Sequence, residues 1–143
     1  MTRREAMADA AAALLRSGLT DPRGEARRLL ADLLEESPGA VLLSGDEDLS
    51  SEMCARYAAA VARRCLGEPA VQIAGWTEFR HLRIRVNRHV LIPRPETEGL
   101  VDLVLAHAPS SAGGVLDVGT GSGCVALALA DESGGRFGSV TGT

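Results

Sequence analysis

Apolar positions in the first third of the chain recur at helical spacing. Ala6, Met7, Ala10, Ala11, Leu14 and Leu15 predict a helix over about residues 3–17, and Gly18 supplies its stop. Thr20 or Asp21, followed by Pro22, opens a second helix that runs to about Glu36 with Ala26, Leu29, Leu30, Leu33 and Leu34 on its apolar face. Ser37-Pro38-Gly39 breaks it, and Ala40 to Leu43 form a further short helical turn. After the acidic loop Gly45-Asp46-Glu47-Asp48, Ser50 or Ser51 caps a helix to about Leu66, with Met53, Tyr57, Ala60, Val61 and Cys65 inward and Gly67 at its end. Residues 1–69 therefore predict a small helical domain, and no residue pattern in it points to catalysis.

From Pro69 the period changes to alternation. Val71 and Ile73 face one way, and Phe79, then Leu82, Ile84 and Val86, continue as short strands with Arg83 and Arg85 on the opposite face. Residues 70–92 read as a β-hairpin linking two domains. The strip Leu91-Ile92-Pro93-Arg94-Pro95-Glu96-Thr97-Glu98 is extended at its prolines and opens a helix near Pro95, where Glu96 and Glu98 suit the positive end of the helix dipole. That helix carries Leu100, Val101, Leu103, Val104 and Leu105 to about Ala108, and Pro109-Ser110-Ser111-Ala112-Gly113 is a loop. Val115, Leu116 and Val118 read as a strand covered on both faces. A glycine turn follows, then a helix from Val125 through Ala130, then a second strand within Arg136 to Thr143.

Composition narrows the function classes. Hydrophobic residues make up 45% of 143, enough for a globular core, but aromatics are only 3%, so that core is aliphatic. All fifteen basic residues are arginine, and a net charge of −4 argues against general nucleic-acid binding. Cys54, Cys65 and Cys124 show neither metal-ligand spacing nor a disulfide framework, which fits a reducing cytoplasm. No apolar run reaches membrane-spanning length, and no metal site is expected; Asp46, Glu47 and Asp48 read as a solvated turn. Arg80, Arg83, Arg85 and Arg88 cluster in the hairpin, either as a solvated polar face or as a docking surface for an acidic partner, phosphate included. His81 and His89 read as turn or surface residues.

The chemistry concentrates at Asp117-Val118-Gly119-Thr120-Gly121-Ser122-Gly123. Glycines at alternate positions allow a sharp turn and close approach of a ligand, and the helix that follows would point its free amides at it. The dinucleotide pattern G-x-G-x-x-G fails, because Cys124 stands at its third glycine position. G-x-G-x-G with an acid two residues upstream resembles the first motif of S-adenosylmethionine-dependent methyltransferases. There the acid accepts from the ammonium of the methionine moiety and the glycine amides take its carboxylate. A glycine-rich turn that binds nothing is the alternative.

Joined to that motif, Val90-Leu91-Ile92-Pro93-Arg94-Pro95-Glu96-Thr97-Glu98 resembles the release-factor glutamine methyltransferases (PrmC/HemK type). Glu25-Ala26-Arg27-Arg28-Leu29-Leu30, Arg64, Gly67-Glu68-Pro69, Gln72-Ile73 and Glu78-Phe79 are similar to that family too. The resemblance implies an α+β to α/β chain: a substrate-recognising helical domain over 1–69, a hairpin linker over 70–92, and over 93–143 the first β-α-β part of a Rossmann-like methyltransferase domain. It implies S-adenosyl-L-methionine held by Asp117, Gly119, Thr120, Gly121, Ser122 and Gly123, with Arg94, Thr97 and Glu98 as a possible pocket wall. The implied reaction is methylation of the glutamine side-chain amide nitrogen in the Gly-Gly-Gln motif of peptide-chain release factors, in a cytoplasmic protein that is monomeric and binds no nucleic acid directly.

Two departures stand out. The family's Asn-Pro-Pro-Tyr motif is absent, so no catalytic residue is assigned, and a ribose-binding acid about 20 residues beyond the glycines would fall past Thr143. These 143 residues are therefore expected to be an inactive N-terminal portion that binds cofactor weakly and leaves Val115, Leu116 and Val118 on an open sheet edge. Arg80-His81 replaces the aromatic residue and glycine usual after Phe79. The competing readings are a methyltransferase acting on another protein or on nucleic acid, and a non-catalytic truncated fragment that binds a partner.

Overall fold

The computed structural model describes residues 1–109 and 113–143; the expected loop positions Ser110, Ser111 and Ala112 lie outside the described residues. The chain forms two compact units, Met1–Ala74 and Gly75–Thr143.

The first unit is helical. Helix α1 spans Arg3–Arg16, α2 Pro22–Leu34, α3 Pro38–Leu43, α4 Ser51–Cys65 and α5 Ala70–Ala74. Local chemistry sets each start. Thr2 and Glu5 form a reciprocal capping box on α1, and the carboxylate of Asp21 accepts from Gly24 N at 3.0 Å beside Pro22 at the start of α2. Ser37 and Ser50 cap α3 and α4 through Ala40 N and Met53 N, each at 3.1 Å. Glycines in the left-handed region, Gly18 and Gly67, lie just beyond the ends of α1 and α4. The core comprises Leu14, Ala26, Leu29, Leu30 and Val41, all inaccessible to solvent or nearly so, with Ala6, Ala10, Tyr57 and Val61 around them.

The acidic loop is more than a solvated turn. Arg3 binds Glu36 and Glu47, each at 2.9 Å, and Arg4 binds Asp46 at 2.9 Å, so the loop closes onto the start of α1. Residues 70–74 also differ from the expected strand. Val71 and Ile73 lie in α5, where Gln72 N and Ile73 N donate to Pro69 O and the helix packs against α2 and α4. A five-residue run is too short for its periodicity to separate strand from helix, and neighbours decided it.

Tyr57 is buried, and its hydroxyl donates to Ala26 O at 2.8 Å, linking α4 to α2. Burial holds the phenol pKa well above its ordinary value of 10.0. An unfolded chain ionises this group near pH 10 while the folded one resists, so the unfolded state binds fewer protons above that pH. Stability is therefore full below pH 10 and falls as pH rises beyond it. Tyr57→Phe is expected to cost about 1 kcal/mol at neutral pH through the lost hydrogen bond. It should also flatten the alkaline decline, which urea titrations at pH 8 and pH 11 would read.

The second unit begins with a two-stranded antiparallel hairpin, β1 (Trp76–Phe79) and β2 (Leu82–Arg85), in the register Trp76↔Arg85 and Phe79↔Leu82. Arg80-His81 forms its turn, with Arg80 in the left-handed region at φ 54. Pro95–Thr97 make a 3-10 turn that leads into α6 (Glu98–His107). Strand β3 (Val115–Asp117), helix α7 (Cys124–Glu132) and strand β4 (Val140–Gly142) make a parallel β-α-β unit, with Val115↔Val140 and Asp117↔Gly142. Phe79, Ile84, Val86, Val101, Ala128, Leu129 and Phe137 are the large and small apolar residues buried here.

The expectation that Val115, Leu116 and Val118 form a strand covered on both faces does not hold, whereas the expected open edge does. Leu116 is 60% exposed and Val118 77% exposed. Among the described residues β3 has one neighbouring strand, so one face and one edge of it meet solvent. The second strand is shorter than the expected stretch: Arg136 N donates to Ser133 O in a turn, and pairing begins at Val140.

Candidate cofactor site

The glycine turn sits between the C-terminal end of β3 and the N-terminus of α7. Gly119, Gly121 and Gly123 all have positive φ, at 77, 57 and 79. Only glycine enters that region without strain, so the G-x-G-x-G spacing is a backbone requirement at each of the three positions. The amides of Gly119 and Thr120 both donate to Thr143 O at 3.0 Å, and Gly123 N donates to Thr120 O at 2.9 Å. Among the described residues, the amides of Gly121 and Ser122 have no protein partner, and the first turn of α7 adds its own unpaired N–H groups.

Asp117 lies at the end of β3, half-buried, and its Oδ2 accepts from the Thr120 hydroxyl at 2.8 Å. Its Oδ1 carries no hydrogen bond among the described residues, which leaves acceptor capacity on the carboxylate. Gly142 on β4 passes close by: a Cβ there would fall 2.6 Å from Thr120 Oγ1. This second close approach was not singled out from the sequence, where Gly142 lies outside the motif. Unpaired amides beside a carboxylate fit a zwitterionic amino-acid group, its carboxylate on the amides and its ammonium on Asp117.

The other expected positions, Arg94, Thr97 and Glu98, lie in and around the 3-10 turn that leads into α6. Arg94 is exposed, and its carbonyl accepts from Thr97 N at 3.0 Å. Glu98 Oε1 accepts from Arg80 N at 2.7 Å, which ties the start of α6 to the hairpin turn. The arginine cluster of the hairpin divides. Arg80 is taken up by carboxylates of its own unit, Arg83 stacks over the Trp76 ring at 4.0 Å, and Arg85 and Arg88 are exposed. No group of three or more His, Cys, Asp or Glu suited to a metal occurs among the described residues.

In the helical unit, residues shared with the resembled family prove structural. Arg64 Nε donates to Glu25 Oε2 at 2.8 Å and Arg64 Nη1 to Glu68 O at 3.3 Å, so one guanidinium joins α2, α4 and the segment before α5. Arg63 pairs with the Glu68 carboxylate, and that hydrogen bond holds the Glu68 pKa below its ordinary value. An apolar groove of about 350 Å³, which no pattern along the chain had pointed to, runs along α1 and α4, lined by Ala6, Ala10, Ala13, Cys54, Tyr57 and Val61.

Residues 5–75 match the family model of the PrmC N-terminal domain. A protein from Koribacter versatilis named release factor glutamine methyltransferase is 43% identical over 133 residues, covering 92% of this chain and 48% of that protein. Proteins of the same name from Cereibacter sphaeroides and Escherichia coli are each 40% identical, over 128 and 111 residues. These alignments cover 90% and 78% of this chain, and 45% and 40% of the respective relatives. The chain carries the N-terminal domain of the PrmC family. It spans less than half the length of these curated relatives. The match to the PrmC N-terminal domain ends at residue 75, next to the end of the helical unit at Ala74. No helix among the described residues is long and apolar enough to cross a membrane.

Proposed function

We propose that this chain carries the methionine-binding end of an S-adenosylmethionine site in a release factor glutamine methyltransferase, on the first β-α-β part of a Rossmann-like domain. The observation that carries the reading is the run of three left-handed glycines at the mouth of α7, with two unpaired amides beside Asp117. Similarity to the release factor glutamine methyltransferases supplies the reaction class. S-adenosylmethionine, when bound, supplies an electrophilic methyl on a sulfonium.

The chain's own groups do the holding. Gly121 N, Ser122 N and the first-turn amides of α7 donate to the carboxylate of the amino-acid tail. Asp117 accepts from its ammonium, and Thr120 fixes the Asp117 carboxylate from the other side. Gly119 N and Thr120 N, occupied by Thr143 O, hold the turn rather than the ligand. The substrate is the glutamine amide nitrogen of the release-factor Gly-Gly-Gln motif. The helical unit, whose described residues show no catalytic cluster, selects the release factor in the cytoplasm. Only the methionine end of the site lies in these 143 residues, so they bind the cofactor weakly, and without the Asn-Pro-Pro-Tyr motif that aims the amide nitrogen they do not turn it over.

Titration of S-adenosylmethionine into the labelled chain, followed by amide chemical shifts, tests this. Half-saturation on the order of 1 mM is expected, equivalent to about −4 kcal/mol. Shifts should concentrate at Gly121, Ser122 and the first turn of α7. Asp117→Asn should weaken binding about tenfold or more by removing a charged hydrogen bond worth about 1.5 kcal/mol or more. Micromolar binding, or shifts that leave 119–124 untouched, would overturn the reading.

A further inference from the structure

The turn of the hairpin does more than reverse the chain. Arg80 Nε donates to Glu132 Oε1, and Nη2 donates to Glu132 Oε2 at 2.7 Å, a two-pronged contact on the last residue of α7. Nη1 lies 2.8 Å from Asp102 Oδ1 and donates to Glu98 O at 3.3 Å, on the first two turns of α6. The Arg80 and Glu132 side chains are 18% and 17% exposed, so solvent screens this pair only in part. Next to it, His81 Nε2 sits 2.6 Å from Asp131 Oδ2.

Those partners solve an electrostatic problem in α7. Asp131 and Glu132 stand at its C-terminal end, where the dipole already concentrates negative charge, and its last turn has no basic residue. The nearest compensation comes from Arg80, held in a left-handed conformation that a two-residue hairpin turn imposes. Nine residues separate that end of α7 from the other, which opens at Gly123.

We propose that the Arg80 side chain is an ionic clasp that fixes α7 against the hairpin and α6, and that Arg80 is thereby a positioning residue for the glycine turn at the opposite end of α7. The clasp stands on the contacts above; its bearing on cofactor rests on the site proposed in the preceding subsection.

Arg80→Gly is the discriminating variant. Glycine accepts the left-handed turn better than arginine and keeps the backbone N–H that Glu98 receives, so the hairpin persists while the side chain goes. Hydrogen exchange of the full chain without ligand is the first readout. Amides from Leu127 to Ser133, and the bonded amides of the glycine turn, Gly119, Thr120 and Gly123, should exchange about tenfold faster or more in Arg80→Gly. Val86 N, bonded to Gly75 O in the hairpin, should keep its protection. Arg80→Lys should recover part of the protection, because it keeps charge and loses the fork. Glu132→Gln should reproduce the effect and add little to it in the double variant.

Unchanged α7 exchange overturns the proposal. So does a rise shared equally by Val86, which would mean general loosening of the unit, and so does full additivity of the two variants. The second readout is the S-adenosylmethionine titration, where Arg80→Gly should bind about threefold more weakly or worse and Arg80→Lys should fall between. Equal binding by Arg80→Gly and the unsubstituted chain overturns the positioning role. If the unsubstituted chain binds nothing while the exchange results hold, the cofactor reading fails and the clasp remains.

Discussion

Leu30→Ala is expected to destabilise the helical unit by about 3 kcal/mol. Leu30 is fully buried in α2, among Leu14, Ala26, Leu29 and Val41, in a core built almost wholly of aliphatic side chains. Truncation removes three methyl or methylene-sized groups from water-free surroundings and leaves a cavity that short, capped helices fill only by shifting. A unit of this size gains only 5–15 kcal/mol from folding, by order of magnitude, so the loss is a large fraction of the whole. The melting temperature should fall by on the order of 15 °C, followed by far-ultraviolet circular dichroism. Leu43→Ala is the matched control. Leu43 ends α3 at 92% exposure, and its truncation should leave the transition where it was. Equal effects of the two variants would remove α2 from the core described here.

The three turn glycines carry the other large effect. Replacing Gly119, Gly121 and Gly123 together by alanine is expected to destabilise the second unit by about 3–6 kcal/mol, since each left-handed alanine costs about 1–2 kcal/mol. Crowding is not the cause: a Cβ at Gly119 or Gly121 would meet nothing closer than 4.0 Å, and one at Gly123 only Leu127 at 3.7 Å. The penalty is conformational and falls on the stretch that joins β3 to α7. The three positions share one turn, so their effects need not sum. Trp76, the only tryptophan, lies in β1, and its fluorescence reports unfolding of this unit. Gly99 provides the contrast. It sits inside α6 with open space around it, and Gly99→Ala should stabilise by about 0.5–1 kcal/mol. A triple variant as stable as the parent would mean that the turn relaxes to another shape, and the proposed cradle would lose its basis.

Much of the helical unit was legible because its signals are local. Thr2, Asp21, Ser37 and Ser50 each bond an amide three residues away, or start a helix, through groups adjacent in the chain. The apolar faces of α1, α2 and α4 follow the helical period, and Ala6, Leu14, Ala26, Leu29, Leu30, Tyr57 and Val61 are buried as that period requires. The glycine turn was legible for a related reason. A strand end, alternate glycines and a helix start lie within ten residues, and their left-handed angles follow from what only glycine tolerates.

Arg80 was not legible. Its partners Glu98, Asp102 and Glu132 lie 18 to 52 residues away, and the Arg80-His81 pair, though it departs from the resembled family, carries no sign of them. Glu98, expected as a pocket wall, also receives the Arg80 amide, a contact with a turn 18 residues away that only packing brings to it. Residues 70–74 went the same way, since a five-residue apolar run satisfies either period until α2 and α4 are placed beside it. By itself, the sequence determined where the longer helices of the first unit begin and end, the faces they bury and where the glycine turn must be left-handed, all consequences of short-range sterics and hydrogen bonding. The tertiary structure alone decided how charges pair and which face of β3 is covered, because both depend on which distant segments the fold brings within reach.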